Sequence, residues 1–501
     1  MKSISSDLLA QMLAESRATN PAEPVNRLLY CCLRAAIHDR RLPSASRLPP
    51  SRDLAAELGI SRNTVIYAYE QLILEGYANA VTGSGTFVID RFPDLPVVTP
   101  QEQKCSVTLP LLKHTLSARG RAIVNDAYAP VNQWGAFMPG VPDITRAPQK
   151  ALASIANKLS ERMSPSLLSY ASKGGNAVFH ENLVAYLRQA RSVNCKPNQI
   201  IVTEGVHQAI DLITRVLADV GDHAWVENPG YWGTRTILLS NGLTIQGINV
   251  DEEGMNIPKA MELCEKAPKF AFVTPSHQYP LGSVMSMRRR FELIAKAKAD
   301  SFWIVEDDYD SEFRSSGLPI PSLQGLVPDA PVIYIGTFSK TLYPGLRIAY
   351  MIAPPEISEA LRTAHSELYR GGHLQTQAAI AQFISDGKYA AHVRRMRLVY
   401  SARRAVLINM ILKSLGKDWI HPFDTDAGLH LILSLPPESN DVEISEILAE
   451  KGVLTRPLSR FYVSGPVSKG LLLGFACVAP EEMLAPFSIL LGVIRRNILK
   501  I

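Results

Sequence analysis

The sequence has no long apolar segment. None of its uncharged hydrophobic runs reaches about 18 residues, the length that a helix needs to cross a membrane. The stretch from Met1 to Asn20 lacks the parts of a signal peptide, which are a charged start, an apolar middle and a small-residue cleavage site. These absences predict a cytoplasmic protein that does not contact membranes.

Cysteine is also scarce. The six cysteines form no CxxC pair, and none of them lies in a Cys/His cluster with the spacing of a zinc site. Scattered thiols of this kind are typical of the reducing cytosol, and we predict no metal site. The net charge of +5 is too small to indicate nucleic-acid binding by itself.

The chain has ample length and apolar content. Its 501 residues, 47% of them hydrophobic, suffice for roughly two to four domains of about 150 residues each. Local composition predicts four zones: a partly helical extension at 1–23, a compact zone at 24–90, a linker at 91–116 and a large zone at 117–501. The linker is assigned from its prolines and its lack of periodicity.

The compact zone begins with three predicted helices. The first is amphipathic, with an apolar face formed by Leu29, Cys32, Leu33, Ala36 and Ile37. Ser51 is the predicted N-cap of the second helix, which ends at Gly59. Ser61 is the predicted N-cap of the third, whose inward residues are Val65, Ala68, Tyr69 and Leu72. Two helices joined by a glycine-containing turn form a helix-turn-helix.

A predicted hairpin follows these helices. Residues 77–81 and 86–89 have the composition of strands, and the turn Gly83-Ser84-Gly85 joins them. Glycine readily adopts the positive φ values that a tight hairpin needs. A hairpin directly after a helix-turn-helix is a wing, so the zone is predicted to be a winged helix-turn-helix.

This zone resembles the GntR family of bacterial regulators. The resemblance rests on LPPSRDLA at 48–55, LGISRNTV at 58–65, EGY at 75–77 and GSGTFV at 83–88. It implies binding to a double-stranded DNA operator through Arg52, Arg62, Thr64 and Gly83. The two arginines lie at predicted helix starts, where free N–H groups favour phosphate, and arginine can also bind guanine.

One position departs from this pattern. Ile66 stands where some members carry a further DNA-contacting arginine, which leaves base readout there open. Between Pro24 and Arg91, eight arginines stand against six acidic residues, which is a modest excess. Because phosphate contacts dominate affinity, a single copy should bind DNA weakly, and a homodimer with two copies would compensate.

The large zone alternates short apolar runs with amphipathic stretches. Strands are predicted at 200–202, 224–227, 270–274, 302–306, 332–336 and 346–352, with helices between several of them. This alternation predicts an α/β fold with a mostly parallel sheet. In such sheets, ligands bind at the carboxyl ends of the strands.

Reactive side chains follow several of these strands. Lys340 follows the strand at 332–336, and Asp307 follows the strand at 302–306. A lysine can form a Schiff base with an aldehyde, and the ring nitrogen of pyridoxal phosphate needs a carboxylate partner. Arginine and hydroxyl groups can hold a phosphate, and a strand that enters a helix through glycine, as at 203–208, adds backbone N–H groups.

The large zone resembles fold-type I aminotransferases, and together with the winged helix it resembles the MocR-type (GabR-like) branch of the GntR regulators. Matching segments are ENPGY at 227–231, TPSHQYPLG at 274–282, EDDYDSEF at 306–313 and GTFSKTLYPGLR at 336–347. The resemblance implies pyridoxal 5'-phosphate as the cofactor, with Lys340 forming the covalent link to it.

Further contacts are implied by the same resemblance. Asp307 would pair with the ring nitrogen, Tyr309 would bond the ring hydroxyl, and Tyr231 would stack on the ring. The phosphate would be held by Val206, His207, Thr337 and Arg347. Tyr170 matches a tyrosine that reaches a phosphate across a dimer interface, which again implies a homodimer.

Two features depart from catalytic aminotransferases. Tyr279 replaces the usual asparagine before Pro-x-Gly, so the contacts to the ring hydroxyl must differ. Residues 471–476 contain no arginine, although catalytic members carry one near the C-terminus that binds the substrate carboxylate. Arg456 and Arg460 are the alternatives for this role.

Three functions follow from these features. The favoured one is a transcription regulator that binds pyridoxal phosphate and senses an amino compound or the cofactor itself, through closure of the large domain and repositioning of the DNA-binding units. A working aminotransferase with an accessory DNA-binding domain is the alternative, which the missing arginine weakens. A DNA-binding protein with a degenerate, cofactor-free domain is disfavoured by the intact Lys340, Asp307 and Arg347.

Overall fold

The computed structural model describes residues 4–89, 116–125, 133–161, 165–170, 174–263, 266–314 and 320–499. The chain divides into two compact units, Met1–Pro110 and Leu111–Ile501. The predicted linker, apart from its last residue, lies outside the described residues. Within the described ranges, every helix is too short or too polar to span a bilayer.

The N-terminal unit consists of four helices and a hairpin. Its elements are α1 (Ile4–Thr19), α2 (Val25–His38), α3 (Ser51–Leu58), α4 (Arg62–Leu74), β1 (Ala78–Val81) and β2 (Gly85–Val88). The strands pair antiparallel, with Val81 opposite Gly85. The glycines of the connecting turn have positive φ, 79° at Gly83 and 115° at Gly85. The predicted helix-turn-helix and wing are confirmed.

The core of this unit forms where the apolar periodicity predicts it. Every apolar position predicted on the inward faces of α2 and α4 is buried. Leu9 and Leu13 of α1 belong to the same buried cluster. The segment predicted as an N-terminal extension therefore contributes a helix to the core, because its apolar residues at i and i+4 share one helix face.

The two predicted helix caps behave differently. Ser61 caps α4 as predicted, since its side-chain oxygen accepts the backbone N–H of Thr64 at 3.2 Å. Ser51 does not cap α3, and that prediction is wrong. Pro50, with φ −54° and ψ 138°, takes the cap position, and its carbonyl accepts the N–H groups of Asp53 and Leu54. Ser51 is therefore the first helical residue.

The C-terminal unit is an α/β unit with two sheets. Its helices are α5 (Ala118–Asn125), α6 (Gln149–Ser160), α7 (Ala177–Arg191), α8 (Val206–Leu217), α9 (Trp232–Ser240), α10 (Ile257–Leu263), α11 (Met287–Asp300), α12 (Leu323–Leu326), α13 (Pro355–Tyr369), α14 (Leu374–Ser385), α15 (Lys388–Ser414), α16 (Asp441–Glu450) and α17 (Leu484–Ile494). Its strands are β3 (Ile200–Thr203), β4 (His223–Asn228), β5 (Thr244–Asp251), β6 (Gly254–Met255), β7 (Phe270–Val273), β8 (Trp303–Asp308), β9 (Val332–Thr337), β10 (Ala349–Ile352), β11 (His430–Leu435), β12 (Arg456–Pro457) and β13 (Lys469–Gly474).

The larger sheet has eight strands in the order β3-β10-β9-β8-β7-β4-β5-β6. The run from β9 to β5 is parallel, while β10 is antiparallel to both of its neighbours. The predicted α/β fold with a mostly parallel sheet is confirmed. Because β4, β7, β8 and β9 run the same way, their carboxyl ends meet at one edge of the sheet.

Some strand bounds differ from the predictions. β10 begins at Ala349 rather than at residue 346, because Pro344–Leu346 form a 3-10 turn and Arg347 has a left-handed backbone, φ 53°. β8 extends to Asp308, so Asp307 lies inside the strand and not after it. β5 was not predicted, because polar residues and glycine interrupt its apolar run.

A second, antiparallel sheet follows in the order β11-β13-β12. β13 lies in its middle, and five of its six residues are buried. The two-residue β12 pairs with β13 so that Arg456 lies opposite Leu472. Helices α15, α16 and α17 pack against this sheet and share its apolar core.

Candidate functional site

A cavity of about 350 Å³ lies at the carboxyl edge of the parallel strands. It is lined by eight of the residues predicted from the sequence: Val206, His207, Tyr231, Asp307, Tyr309, Thr337, Lys340 and Arg347. They come from β8, β9, the start of α8, the start of α9 and the loops that follow the strands. The structure therefore brings together side chains that are far apart in the sequence.

Lys340 is the cavity's amine. Its Nζ donates a hydrogen bond to the carbonyl of Gly140 at 2.6 Å. Burial lowers the pKa of Lys340, while the negative charges of Asp310 and Asp307 partly oppose that shift. A lowered pKa increases the fraction of uncharged amine, which is the form that attacks an aldehyde carbon.

Asp307 is the cavity's carboxylate. Burial, helped by the neighbouring charge of Asp308, raises its pKa to about 7, although the charge of Lys340 opposes this. Its Oδ1 is buried and, among the described residues, has no hydrogen-bond partner. A buried acceptor without a partner costs free energy, so this site is suited to a ligand that brings a cationic N–H group.

An anion site borders the same cavity. Val206 and His207 begin α8, and the N–H groups of a first helical turn have no partner within the helix. Arg347 lies beside them, since a Cβ on Gly205 would approach its guanidinium Nη2 to 2.8 Å. Gly205 therefore provides the room that the arginine needs. A helix N-terminus with an adjacent guanidinium is a favourable place for a phosphate.

Aromatic rings form one wall of the cavity. The Tyr231 hydroxyl lies 2.8 Å from Nε2 of His207, and the Tyr231 and Tyr279 rings meet edge-on with centroids 5.8 Å apart. Burial lowers the pKa of His207, and the charge of Arg347 lowers it further. The lowered pKa favours the uncharged form of the His207 ring beside the anion site.

Tyr309 has partners that the sequence interpretation did not identify. Its hydroxyl lies 2.9 Å from Nδ1 of His277, and the same nitrogen lies 3.1 Å from both carboxylate oxygens of Asp310. His277 stands in the segment 274–282 that carries the family resemblance, and no role was assigned to it. Only the adjacent ends of β7 and β8 bring the three side chains together, so sequence spacing alone gives no signal for this cluster.

Arg456 also lines the cavity, which changes the argument drawn from the missing arginine at 471–476. Residues 471–474, where the sequence lacks the expected arginine, belong to β13 and are buried in the sheet. Arg456 lies on the neighbouring strand at the level of Leu472 and faces the cavity. Arg460, the other alternative, forms an ion pair with Glu446 at 3.7 Å and does not line the cavity.

The loop at 138–141 also forms part of the cavity wall, and it was not predicted from the sequence. It lies in an irregular segment without a recognisable motif, although Gly140 has the positive φ of 71° that glycine favours. Tyr170 is the one predicted cofactor residue that does not line the cavity. Its side chain is 78% exposed, and the Arg370 guanidinium lies 5.9 Å from its ring centroid.

The predicted DNA-contacting residues lie on the surface of the N-terminal unit. Arg52 is in the first turn of α3 and exposed, and Arg62 is the first residue of α4. Nε of Arg62 lies 3.5 Å from the Ser51 hydroxyl, which brings the starts of the two helices together. The Thr64 hydroxyl lies 2.9 Å from that of Ser61, and Gly83 is exposed at the wing turn.

Two protein families match the chain. Residues 142–484 match "Aminotransferase class I and II", and residues 27–88 match "Bacterial regulatory proteins, gntR family". Among solved structures, a Pyrococcus horikoshii kynurenine aminotransferase superposes with a TM-score of 0.68 at 24% identity, covering 77% of this chain and 96% of that one. An archaeal alanine:glyoxylate aminotransferase has a TM-score of 0.69 at 24% identity, with coverage of 76% and 98%. These structures show the fold of the C-terminal unit.

Relatives with both parts extend the match to nearly the whole chain. The probable rhizopine catabolism regulatory protein MocR of Rhizobium meliloti is 37% identical over 461 residues, which are 92% of each protein. The HTH-type pyridoxine biosynthesis transcriptional regulator PdxR of Corynebacterium glutamicum is 30% identical over 91% of this chain and 94% of its own length. An aromatic-amino-acid aminotransferase of Thermococcus litoralis is 28% identical over 68% of this chain and 83% of its own length.

Proposed function

This chain belongs to the MocR-type branch of the GntR family of bacterial transcription regulators, and from this we propose that it couples operator DNA to the state of a pyridoxal phosphate site. The N-terminal winged helix-turn-helix is the DNA-binding part. The cavity beside Lys340 is the proposed cofactor and effector site. The observation that carries the cofactor proposal is the buried Oδ1 of Asp307, which has no hydrogen-bond partner in the described part of the chain and lies in the same cavity as Lys340.

The regulator is favoured over a working aminotransferase as the main activity. MocR and PdxR, which match at least nine-tenths of the chain at 30% identity or more, carry names of regulators, whereas the Thermococcus litoralis aminotransferase matches a smaller share at lower identity. Arg456 in the cavity means that the missing arginine at 471–476 no longer argues against a carboxylate ligand. We therefore include carboxylated amino compounds among the proposed effectors.

The residues of the cavity fit pyridoxal phosphate. When bound, this cofactor supplies an aldehyde that condenses with an amine and a ring that withdraws electrons. Lys340 would provide the amine, and Asp307 would keep the ring nitrogen protonated. Val206, His207, Thr337 and Arg347 would hold the phosphate, with Tyr231 against the ring. Tyr309 would donate its hydroxyl hydrogen to the ring oxygen.

Titration of the full-length protein with pyridoxal phosphate tests this proposal. Protein freed of cofactor is expected to take up close to one equivalent per chain and to gain a visible absorption band. Candidate amino compounds are then added, and keto-acid product is measured. A protein that takes up none would sink the cofactor proposal, and many turnovers per chain would overturn the preference for a sensor.

Arg62→Ala tests the DNA-binding half. The substitution removes a guanidinium from the N-terminus of α4, so operator affinity is expected to fall about 10- to 100-fold. If Arg62 contacts phosphate, the magnitude of the negative slope of log affinity against log salt should also fall by about one per copy. Electrophoretic mobility shifts at several salt concentrations measure both. Arg27→Ala is the control, because Arg27 is exposed and paired with Glu23 at 3.1 Å, and it should change little.

Arg456→Met tests the proposed effector anchor. Burial lowers the pKa of Arg456, and the facing tyrosines Tyr279 and Tyr231 oppose that shift. A charge-assisted hydrogen bond in such a setting contributes enough that its loss should weaken binding of a carboxylated amino compound about 10- to 100-fold. Uptake of pyridoxal phosphate should stay normal. Arg460→Met is the matched control, and equal effects from both variants would contradict the assignment.

We also propose a cytoplasmic homodimer that presents two winged helices to two half-sites. The modest excess of arginine over acidic residues between Pro24 and Arg91 supports two copies, because each contributes its own phosphate contacts. The exposed Tyr170 is proposed to reach the cofactor phosphate of the partner subunit. An effector that changes the closure of the C-terminal unit would then change the spacing of the two DNA-binding parts.

A further inference from the structure

A buried pair of a histidine and an aspartate lies directly behind Tyr309. His277 is 3% exposed and Asp310 is 1% exposed, whereas Tyr309 lines the cavity. The imidazole nitrogen Nδ1 lies within hydrogen-bond distance of three oxygens, which are the two of the Asp310 carboxylate and the hydroxyl of Tyr309. These contacts leave few possible positions for the hydrogens.

The hydrogen on Nδ1 of His277 determines the direction of these hydrogen bonds. A carboxylate only accepts, so Nδ1 must carry a hydrogen and donate it toward Asp310. A protonated Nδ1 has no lone pair, so Tyr309 cannot donate to it. The hydroxyl hydrogen of Tyr309 is then directed away from His277, and the cavity is the space that Tyr309 borders.

We propose that His277 and Asp310 are positioning residues that hold the Tyr309 hydroxyl hydrogen toward the ring oxygen of bound pyridoxal phosphate. The inference rests on the proposed cofactor function and adds two residues that act through a third. Without the carboxylate, Nδ1 is free to accept the hydroxyl hydrogen, and Tyr309 would turn its donor away from the cofactor.

The position of the His277 ring is fixed by the segment that precedes β11. Gly428, with φ 74°, packs against this ring so closely that a Cβ there would overlap it. Thr425 donates its hydroxyl to the carbonyl of Gly282 at 2.7 Å, and the Gly428 N–H donates to the carbonyl of Phe313 at 3.1 Å. The imidazole therefore cannot swing away when its hydrogen bonds change.

Other titratable groups surround Tyr309 and His277 and must be kept constant in any test. They are Asp307, Glu227, Lys340, Tyr279, Asp424 and His430. Asp424 is paired with Arg404, and Nε2 of His430 donates to the carbonyl of Pro280 at 3.0 Å. None of these hydrogen bonds involves Asp310, so replacing Asp310 leaves them in place.

The test measures the pH at which the visible band of the lysine-bound cofactor changes. That change follows a proton shared between the lysine nitrogen and the ring oxygen. A hydroxyl that donates to the ring oxygen favours the form of the cofactor without this proton. Loss of that donor should therefore raise the pH at the midpoint of the band change. His277→Asn should raise it by about one pH unit, in the direction of Tyr309→Phe. Asp310→Asn should raise it less, because this change also removes a negative charge that raises the pKa of Lys340.

Two comparisons separate positioning from structural support. The double variant His277→Asn/Tyr309→Phe should have the midpoint of Tyr309→Phe alone, because both changes remove the same hydrogen bond. His180→Asn replaces another buried histidine, one that bonds the carbonyl of Gly174, and should leave the midpoint unchanged. His277→Asn alone suffices if Asp310→Asn fails to fold, because it leaves the charge of Asp310 near Lys340 in place.

The outcomes are distinguishable. If the unmodified protein takes up no pyridoxal phosphate, the cofactor proposal fails. If the band forms and Tyr309→Phe moves its midpoint, but His277→Asn and Asp310→Asn do not, the positioning role is overturned. Additive shifts in the double variant would also overturn it, because they would show that His277 acts independently of Tyr309.

Discussion

Lys340→Ala is expected to abolish the visible band of pyridoxal phosphate at every pH, while non-covalent uptake of the cofactor continues at lower affinity. Among the described residues that line the cavity, Lys340 is the one lysine, and burial lowers its pKa. The anion site at α8 and Arg347 does not depend on this side chain. Phosphate binding should therefore persist after the covalent link is lost.

Reduction with borohydride gives the decisive measurement for this variant. In the unmodified protein, mass spectrometry should locate the retained cofactor on the peptide that contains Lys340. Lys388→Ala serves as the control, because Lys388 is exposed and paired with Asp386 at 2.7 Å. Labelling of a different lysine, or an unchanged spectrum in Lys340→Ala, would show that the amine has been assigned to the wrong residue.

Arg191→Met is expected to cause the largest loss of stability among the substitutions considered. Nε of Arg191 lies 2.6 Å from Oδ2 of Asp308, and both side chains are almost fully buried. The same guanidinium donates to the Ser276 hydroxyl and to the carbonyl of Ile320. Removing it leaves the buried Asp308 carboxylate without its cationic partner, although the Tyr334 hydroxyl still donates to Oδ2 at 2.6 Å. Loss of one partner of a buried ion pair costs about 3–5 kcal/mol of unfolding free energy.

Denaturant unfolding of the full-length protein measures this loss as a lower midpoint. Arg215→Met is the matched control, since Arg215 forms an exposed pair with Asp211 at 2.8 Å on one helix. Exposed pairs of this kind contribute about 0.5 kcal/mol. Adding Asp308→Asn to Arg191→Met should recover part of the loss because it removes the buried charge. Equal midpoints for Arg191→Met and Arg215→Met would refute the explanation.

The sequence was most informative where local rules act alone. The apolar periodicities of α2 and α4 and the glycine turn of the wing were predicted correctly, because each depends on residues a few positions apart. The strands that end at Asp308 and Thr337 were also predicted to within two residues, since buried parallel strands form continuous apolar runs.

Features that depend on contacts between residues far apart in the sequence could not be predicted from local patterns. The position of Arg456 follows from the register between β12 and β13, and the contact of His277 with Tyr309 follows from the pairing of β7 with β8. The packing of α1 depends on the apolar face that α2 presents. The prediction of Ser51 as a cap was wrong for a local reason, because Pro50 already occupies the cap position and its carbonyl accepts the first helical N–H groups.

The short strand that carries Arg456 has a consequence for how such proteins diversify. β12 contributes two residues to its sheet, whereas β11 and β13 pair along six. With Arg456 as the proposed effector anchor, an exchange at position 456 would alter what the cavity accepts and leave the six-residue ladder untouched. Ligand preference in this architecture can drift by single substitutions at an edge, while the interior that supports folding is inherited unchanged.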